Sequence, residues 1–145
     1  MMTKLALEHF LPYRLARIGT VVSQEFREIY GRDYDLTIPE WRVLATLGQF
    51  GEMGAKAIGR HSFMHKTKVS RAVRALEERR WLKRRESLED RREEVLALTP
   101  QGLTAYENIV PSALAYEEKL LCSLGIHAQA LLDALDALER VKKMN

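Results

Sequence analysis

The amino-acid sequence predicts a mainly α-helical fold with one small β-hairpin. Apolar residues recur at three- and four-residue steps through most of the 145 residues, which is the spacing of helices with one buried side. Between Trp81 and Leu98 the pattern changes to the two-residue alternation of strands. Positive charge is concentrated around this change of pattern, so we place the functional centre of the chain between Gly54 and Thr99.

The distribution of charge indicates a polyanionic partner. Residues 54–92 carry thirteen Lys/Arg and five Asp/Glu, a local net charge of +8, whereas the other residues carry ten and fifteen, a net charge of −5. The formal net charge of the whole chain is only +3. Gathering cations in one segment, while the rest of the chain is acidic, is typical of proteins that dock on nucleic acid.

The basic segment has the element order of a winged helix-turn-helix. We expect a short helix over 54–60, a turn over 62–64, a second helix over 66–79 and a hairpin over 81–98. The tip of the hairpin is expected at residues 89–92. The predicted fold class is therefore mainly α (an α+β winged helix).

The second helix of the segment is expected to enter the major groove of DNA. Val69, Val73 and Leu76 recur at helical spacing and should face a core. A major groove admits one α-helix, and Arg, Lys, Ser and Thr side chains reach bases and phosphates from it. The side chains on the rest of this helix that we expect to bind DNA are Lys66, Thr67, Lys68, Ser70, Arg71 and Arg74.

The hairpin tip is expected to reach the neighbouring minor groove through Arg91 and Arg92. Asp90 is the third DNA-site residue here, because a charge-assisted pair with an arginine would orient that guanidinium before binding. Arg79 and Arg80, by contrast, are interpreted as solvated surface charges. Charge alone does not separate a sequence-specific protein from one that holds any DNA.

Three motifs resemble the multiple-antibiotic-resistance regulator (MarR) family. Asp90–Thr99 is similar to the family pattern D-x-R-x-x-x-[V/L]-x-L-T, Lys66–Arg71 to its recognition-helix segment K-[ST]-x-V-S-R, and Thr37–Leu44 to its second-helix opening. The sequence departs from the family at Phe63 and Arg80, where glycine is common. Both turns must then form without glycine's easy access to positive φ.

The remaining residues predict four more helices. Gly31 should end the first, Thr37 should cap the second, and Thr99-Pro100 is a helix start in which a cap precedes a first-turn proline. Pro111 should kink the third. The expected ranges are 8–31, 38–49, 100–123 and from Ile126 onward.

The chain ends carry more apolar surface than one subunit would cover, which predicts a homodimer. The resembled family implies the same, with two recognition helices presented to successive major grooves. We expect a single domain, 1–145, in which 36–99 is the DNA-binding part and 1–35 and 100–145 form a helical dimerisation part. A self-contained monomeric bundle is the alternative.

Several other chemistries have little support in the sequence. His61 and His65 lie four apart but straddle the predicted turn, so we expect no metal site. Cys122 lies beside leucines, as a small apolar residue would, and a single cysteine excludes an internal disulfide. We find no catalytic constellation and expect no enzyme activity and no cofactor. No apolar run suggests a membrane partner, so the protein is expected in the cytoplasm.

A small-molecule effector is implied by the resemblance, because family members bind small, often aromatic anions between the dimer helices and the winged part. Arginine beside aromatic surface would suit a carboxylate, and an aromatic acid or its CoA thioester is the expected class. The alternative interpretation is ordinary packing and surface residues. The candidate residues are Tyr13, Arg14, Arg17 and Trp41.

The favoured hypothesis is a homodimeric, sequence-specific transcription regulator, a repressor that a small molecule releases from a pseudo-palindromic double-stranded operator. The alternative is an architectural DNA-binding protein without a defined operator. The two differ in specificity, because a regulator should favour its operator over random duplex by about 10³ or more, and an architectural protein by a ratio near one.

Overall fold

A computed structural model describes residues 1–144 and confirms the mainly α-helical fold class. Two strands form a single antiparallel hairpin within this part of the chain. Single turns of 3-10 helix cover Leu7–His9 and Gly125–His127. The main elements, in chain order, are α1 Leu11–Tyr34, α2 Ile38–Phe50, α3 Ala55–Ser62, α4 Lys66–Glu78, β1 Leu82–Glu86, β2 Glu94–Leu98, α5 Pro100–Leu124 and α6 Ala128–Val141.

The chain divides into two compact units at Pro111. Met1–Val110 holds α1 to α4, the hairpin and the first part of α5, and Pro111–Asn145 holds the rest of α5 and α6. Pro111 lies inside α5, and the kink expected there stays a prediction.

The first unit has a core built mainly from one face each of α2 and α4. The inward residues predicted for α4, Val69, Val73 and Leu76, are all buried, which confirms the helical periodicity. Strand residues Leu82 and Leu96 extend this core under the hairpin. Its largest fully buried side chains are Leu36, Leu44, Leu47, Ile58, Leu76, Leu96, Val43, Val69 and Val73.

Helix α2 begins as its sequence predicts. The Thr37 side chain accepts a hydrogen bond from the backbone N–H of Glu40, and the Glu40 carboxylate accepts one from the backbone N–H of Thr37. This reciprocal capping box satisfies two amides that a helix start leaves without partners. Pro39 lies in the first turn, where its missing N–H costs nothing.

The end of α1 differs from the prediction, because the helix continues past Gly31 to Tyr34. Asp35 then takes the left-handed conformation, with φ of 50°, and donates its N–H to the Gly31 carbonyl at 3.1 Å. The Arg79 guanidinium donates to the Tyr34 carbonyl at 2.6 Å and to the Asp35 carbonyl at 3.0 Å. The helix therefore ends where an arginine from a distant segment satisfies its last carbonyls.

The interpretation of Arg79 as a solvated surface charge is therefore wrong. Besides capping α1, its guanidinium lies over the Trp81 ring, 5.0 Å from the ring centroid. Trp81 also meets Tyr34 edge to face at 5.4 Å. These contacts join the C-terminal end of α4 to that of α1. Arg80 is exposed, as predicted.

The two positions at which glycine is missing do adopt left-handed backbone. Phe63, after α3, has φ of 54°, and Arg80, after α4, has φ of 63°. The Arg80 carbonyl accepts a hydrogen bond from the Thr99 hydroxyl at 2.7 Å, which holds the turn against the start of α5. Residues that carry a Cβ adopt this backbone region at a steric cost of about 1–2 kcal/mol.

Arg80→Gly is therefore expected to stabilise the protein by about 1 kcal/mol, because glycine takes positive φ without that steric cost. The exposed Arg80 side chain contributes little that the substitution would remove. Urea unfolding should show a higher midpoint with an unchanged m-value. A lower midpoint would mean that the Arg80 side chain makes a stabilising contact in solution.

Helices α5 and α6 carry exposed apolar residues. Thr99 caps α5, as predicted, by accepting a hydrogen bond from the Gly102 N–H at 3.1 Å. No residue of α6 is buried within residues 1–144. Large apolar side chains exposed in the second unit are Leu114, Ile126, Leu131, Leu132, Leu135, Val141 and Met144.

One helical stretch, Pro100–Val141, is long and apolar enough to cross a membrane by length and composition. It contains an 18-residue window with a mean hydropathy of 1.2 and no buried part. This stretch spans α5, the 3-10 turn and α6, and its window is apolar on average without being one unbroken apolar run, so the absence of a membrane partner stays a prediction. Helices that pack in protein cores pass the same test, so this is weak evidence for a membrane.

Candidate nucleic-acid interface

Helix α4 presents all six of its predicted DNA-binding side chains to solvent. Its buried residues, among them Val69 and Val73, face the core, and the exposed residues fall on the remaining surface. A helix with one side in the core and one side free is positioned to lie in a groove. We call this set the recognition face: Lys66, Thr67, Lys68, Ser70, Arg71 and Arg74.

Most of the positive charge on the recognition face is free of carboxylate partners. Arg74 lies 3.4 Å from Glu78 one turn along the helix. Lys66, Lys68 and Arg71 form no ion pair with any residue of 1–144. These three cations can therefore bind an external anion without first giving up an internal one, which favours contact with phosphate or a base edge.

The start of α4 is stabilised by a histidine. His65 is the N-cap residue, and its ring Nδ1 accepts a hydrogen bond from the Thr67 N–H at 3.2 Å.

His61 lies in α3, where its ring meets that of Phe50 edge to face at 5.0 Å. Over the described residues, no group of three or more His, Cys, Asp or Glu could hold a metal ion.

The predicted hairpin is present, and we call β1, β2 and their connecting loop 87–93 the wing. The strands pair antiparallel from Leu82 opposite Leu98 to Glu86 opposite Glu94. The predicted tip residues 89–92 all lie in the loop, and Asp90, Arg91 and Arg92 are exposed. The wing therefore carries its two predicted DNA-binding arginines at its free end.

Asp90 acts on the loop backbone. Its carboxylate accepts a hydrogen bond from the backbone N–H of Arg92 at 3.0 Å, and its carbonyl accepts one from Glu93 N–H at 3.0 Å. No ion pair joins Asp90 to an arginine side chain in residues 1–144. The expectation of a side-chain pair is therefore corrected: Asp90 fixes the turn from which the Arg91 and Arg92 side chains extend.

The wing is attached to the rest of the unit by two arginines that sequence reasoning did not assign. Arg84 lies 2.8 Å from Glu77 of α4 and 2.9 Å from Glu94 of β2. Hydrogen bonds to Glu94 and Glu77 raise the pKa of Arg84. These contacts link the wing directly to the helix that bears the recognition face.

The second attachment is between Arg85 and Glu52. The Arg85 guanidinium donates two hydrogen bonds to the Glu52 carboxylate, which lies in the connection between α2 and α3. These hydrogen bonds lower the pKa of Glu52. Beside them, Met53 and Leu96 form a backbone bridge. Arg84 and Arg85, two of the basic residues in the wing strands, are thus paired with carboxylates of the protein itself.

Arg84→Gln is expected to weaken DNA binding by loosening the wing, without changing how binding depends on salt. Two partly exposed ion pairs contribute about 0.5–1 kcal/mol to stability, so the protein should stay folded. Arg91→Gln is the matched control, because an exposed arginine that meets phosphate should reduce the slope of log K against log salt by about 1 per contact. An equal reduction in Arg84→Gln would mean that Arg84 itself contacts phosphate.

Three of the four predicted effector residues lie together near the start of α1. The Arg17 guanidinium lies over the Tyr13 ring, 5.6 Å from its centroid. Arg14 and Arg17 line an open groove of about 320 Å³, whose other lining residues are Glu8, Ile18, Val21 and Val22. Two guanidinium groups beside an apolar wall could bind a small molecule that carries a carboxylate.

The fourth, Trp41, lies elsewhere. Its ring packs on Phe26 and Tyr30, with ring centroids 5.4 Å away in each case. Residues 26–30 lie roughly 14–26 Å further along α1 than residues 13–17, at 1.5 Å per residue. Burial raises the pKa of Tyr30 to about 12. Trp41 is half-buried and belongs to this packed aromatic cluster, so the structure does not bring it together with the other three candidate residues.

Comparison with known proteins agrees with this geometry. The family model described as "MarR family" matches residues 36–93. An uncharacterized HTH-type transcriptional regulator of Bacillus subtilis (strain 168), YwoH, is 35% identical over 106 residues, which cover 73% of this chain and 74% of the relative.

Solved structures show the same fold. The MarR family transcriptional regulator SPO1453 from Silicibacter pomeroyi DSS-3 is 30% identical, with a TM-score of 0.76 over 93% of this chain and 99% of that chain. BpsR of Bordetella bronchiseptica, whose DNA binding is regulated by 6-hydroxynicotinic acid, is 20% identical, with a TM-score of 0.80 over 97% and 98%.

The α2–α4 core, the exposed recognition face, β1 and the wing loop lie within the residues that the family model matches, and β2 follows directly after them. Relatives of this chain are transcriptional regulators and not enzymes, in agreement with the lack of a catalytic constellation in the sequence. This chain belongs to the MarR family of transcriptional regulators.

Proposed function

We propose that the protein is a homodimer that binds a pseudo-palindromic operator in double-stranded DNA, represses transcription there, and is released by a small-molecule effector. The observation that carries the proposal is the recognition face, with Lys66, Lys68 and Arg71 exposed and without ion pairs among residues 1–144. Base contacts from α4 would supply specificity, while Arg91 and Arg92 on the wing would enter the adjacent minor groove.

Exposed apolar surface supports the dimer. On α1, Leu11, Ile18 and Val21 are 58%, 57% and 54% exposed, and α6 exposes leucines along its length. Apolar surface of this extent is unusual on a monomer and is covered when two copies pair around a twofold axis. We therefore assign 36–99 to DNA binding, 1–35 and 100–145 to dimerisation, and the apolar stretch 100–141 to the partner subunit instead of a membrane.

An operator is tested by selecting bound duplexes from a random pool. We expect an inverted repeat whose half-sites are about one helical turn apart, because a twofold dimer presents its two α4 helices to successive major grooves. The protein should bind this inverted repeat about 10³-fold or more tightly than random duplex at physiological salt. Equal binding of all duplexes would favour the architectural alternative, and a monomeric mass in light scattering would contradict the dimer.

The effector is tested with aromatic acids. The Arg14 and Arg17 guanidinium groups in the α1 groove would pair with the carboxylate, and apolar residues such as Ile18 and Val21 would contact the ring. 6-Hydroxynicotinic acid and a set of aromatic acids and CoA thioesters should be titrated against the protein–operator complex. An effector should release the operator from the wild-type protein but not from Arg14→Ala or Arg17→Ala. That result, with the operator affinity of both variants unchanged, would support this site.

A regulator of this kind acts on the chromosome, so we place the protein in the cytoplasm.

An effector releases DNA only if it binds the released conformation more tightly than the DNA-bound one. The expected result is therefore reciprocal: operator DNA should weaken effector binding by the same factor by which effector weakens operator binding.

A further inference from the structure

Phe63 combines two unfavourable features at one residue. It forms the turn between α3 and α4, and its side chain is 70% exposed. Its backbone φ is 54°, in the left-handed region. The Phe63 ring pairs with no other aromatic ring in the described part of the chain.

Neither feature is favourable in the free protein. Glycine would adopt the same turn without a steric cost, and an exposed phenylalanine forgoes the stabilisation that burial would give it. Strained positions that the surrounding fold retains are concentrated at functional sites. The combination suggests that the ring is buried only when the protein is bound to a partner.

The position of Phe63 identifies that partner. It lies three residues before Lys66, the first residue of α4, so the chain separates the two by at most about 11 Å. The N-terminal residues of a recognition helix contact base edges, and the preceding helix crosses the DNA backbone. The turn between them therefore lies at the edge of the major groove, which is about 12 Å wide.

The major groove offers one apolar group to such a ring, the C5-methyl group of thymine, and phenylalanine is among the residues that contact it. Lysine and arginine on the recognition face cannot read this group, because it neither donates nor accepts a hydrogen bond. We propose that Phe63 is a specificity-determining residue whose ring packs on a thymine methyl group at the edge of each half-site. This inference rests on the proposed function, because it requires an operator.

The test changes the DNA before the protein. In the operator recovered by selection, each thymine is replaced in turn by deoxyuridine, which removes only the methyl group. In each half-site, one thymine should be sensitive to this replacement, and the two sensitive positions should be related by the twofold symmetry of the operator. Replacing such a thymine should weaken binding of the wild-type protein about fourfold, the loss expected for one buried methyl-sized group. Phe63→Gly should bind the thymine and uracil versions of that position equally well.

Arg80→Gly is the matched control, because it relieves the same left-handed backbone strain at the other end of α4. It should keep the full methyl dependence of the wild type. Phe63→Leu is a second variant, since its apolar side chain should retain part of that dependence. The salt dependence of Phe63→Gly should equal that of the wild type, because a phenyl ring neutralises no phosphate.

The outcomes separate the inference from the proposed function. A wild-type protein that binds the operator selectively but loses no affinity at any uracil position would overturn the role of Phe63 alone. Equal methyl dependence in the wild type and in Phe63→Gly would also overturn it. A wild-type protein that prefers no duplex would overturn both.

Discussion

Replacing Arg71 with alanine is expected to weaken operator binding by about 30-fold or more in the dimer. A side chain that reads a base contributes about 1–3 kcal/mol, and a twofold dimer uses it once in each half-site. Arg71 is exposed on the recognition face and has no ion pair among residues 1–144. Its guanidinium can therefore form the bidentate contact with guanine O6 and N7 that arginine makes most often in major grooves. Fluorescence anisotropy at fixed salt would measure the loss.

The pattern of the loss distinguishes base reading from general attraction. If Arg71 reads a guanine, Arg71→Ala should relax preference at one base pair per half-site and leave the binding of random duplex nearly unchanged. Lys83→Ala, on the exposed face of β1, should instead weaken all duplexes alike. Arg74→Ala should cost less than Arg71→Ala, because Arg74 must give up Glu78 to reach DNA. A uniform loss in Arg71→Ala and a base-specific loss in Lys83→Ala would reverse these assignments.

Local sequence patterns predicted the parts of the site that depend on neighbouring residues. The burial of Val69 and Val73 and the exposure of Arg71 follow from helical periodicity, because residues three or four apart share a side of the helix. The Thr37 cap likewise depends on Glu40, only three residues away. In each case the interacting groups lie within one turn, so their geometry is fixed once the helix forms.

Contacts between distant segments could not be predicted in the same way. Arg79 caps α1 through the carbonyl of Tyr34, 45 residues earlier, and Arg85 pairs with Glu52, 33 residues earlier. Charge alone gave these arginines no partner, because many acids were equally available. The tertiary fold selects the pair. The same limit applies to Trp41, whose residue type suits an effector site but whose half-buried ring on α2 packs against the core of the unit.

Gly102→Ala, in the first turn of α5, is expected to lower the free energy of unfolding by about 3 kcal/mol. A Cβ at Gly102 would lie 2.1 Å from the carbonyl oxygen of Trp81 and 2.9 Å from its carbonyl carbon. That carbonyl also accepts the N–H of Thr99 at 2.9 Å, so it cannot move away freely. Overpacking against a fixed backbone costs at the upper end of the usual range of 1–3 kcal/mol, because no side chain can rotate to make room.

Gly31→Ala is the matched control, since Gly31 is also helical and nothing lies within 4 Å of a Cβ placed there. Alanine in a helix is about 0.5–1 kcal/mol more stable than glycine, so this variant should gain stability. The midpoint of urea unfolding should thus fall for Gly102→Ala and rise for Gly31→Ala, although both substitutions add the same methyl group. If Gly102→Ala were as stable as the wild type, the close approach of α5 to the Trp81 carbonyl would be wrong. The wing would then need another attachment to the first turn of α5, because Trp81 directly precedes β1.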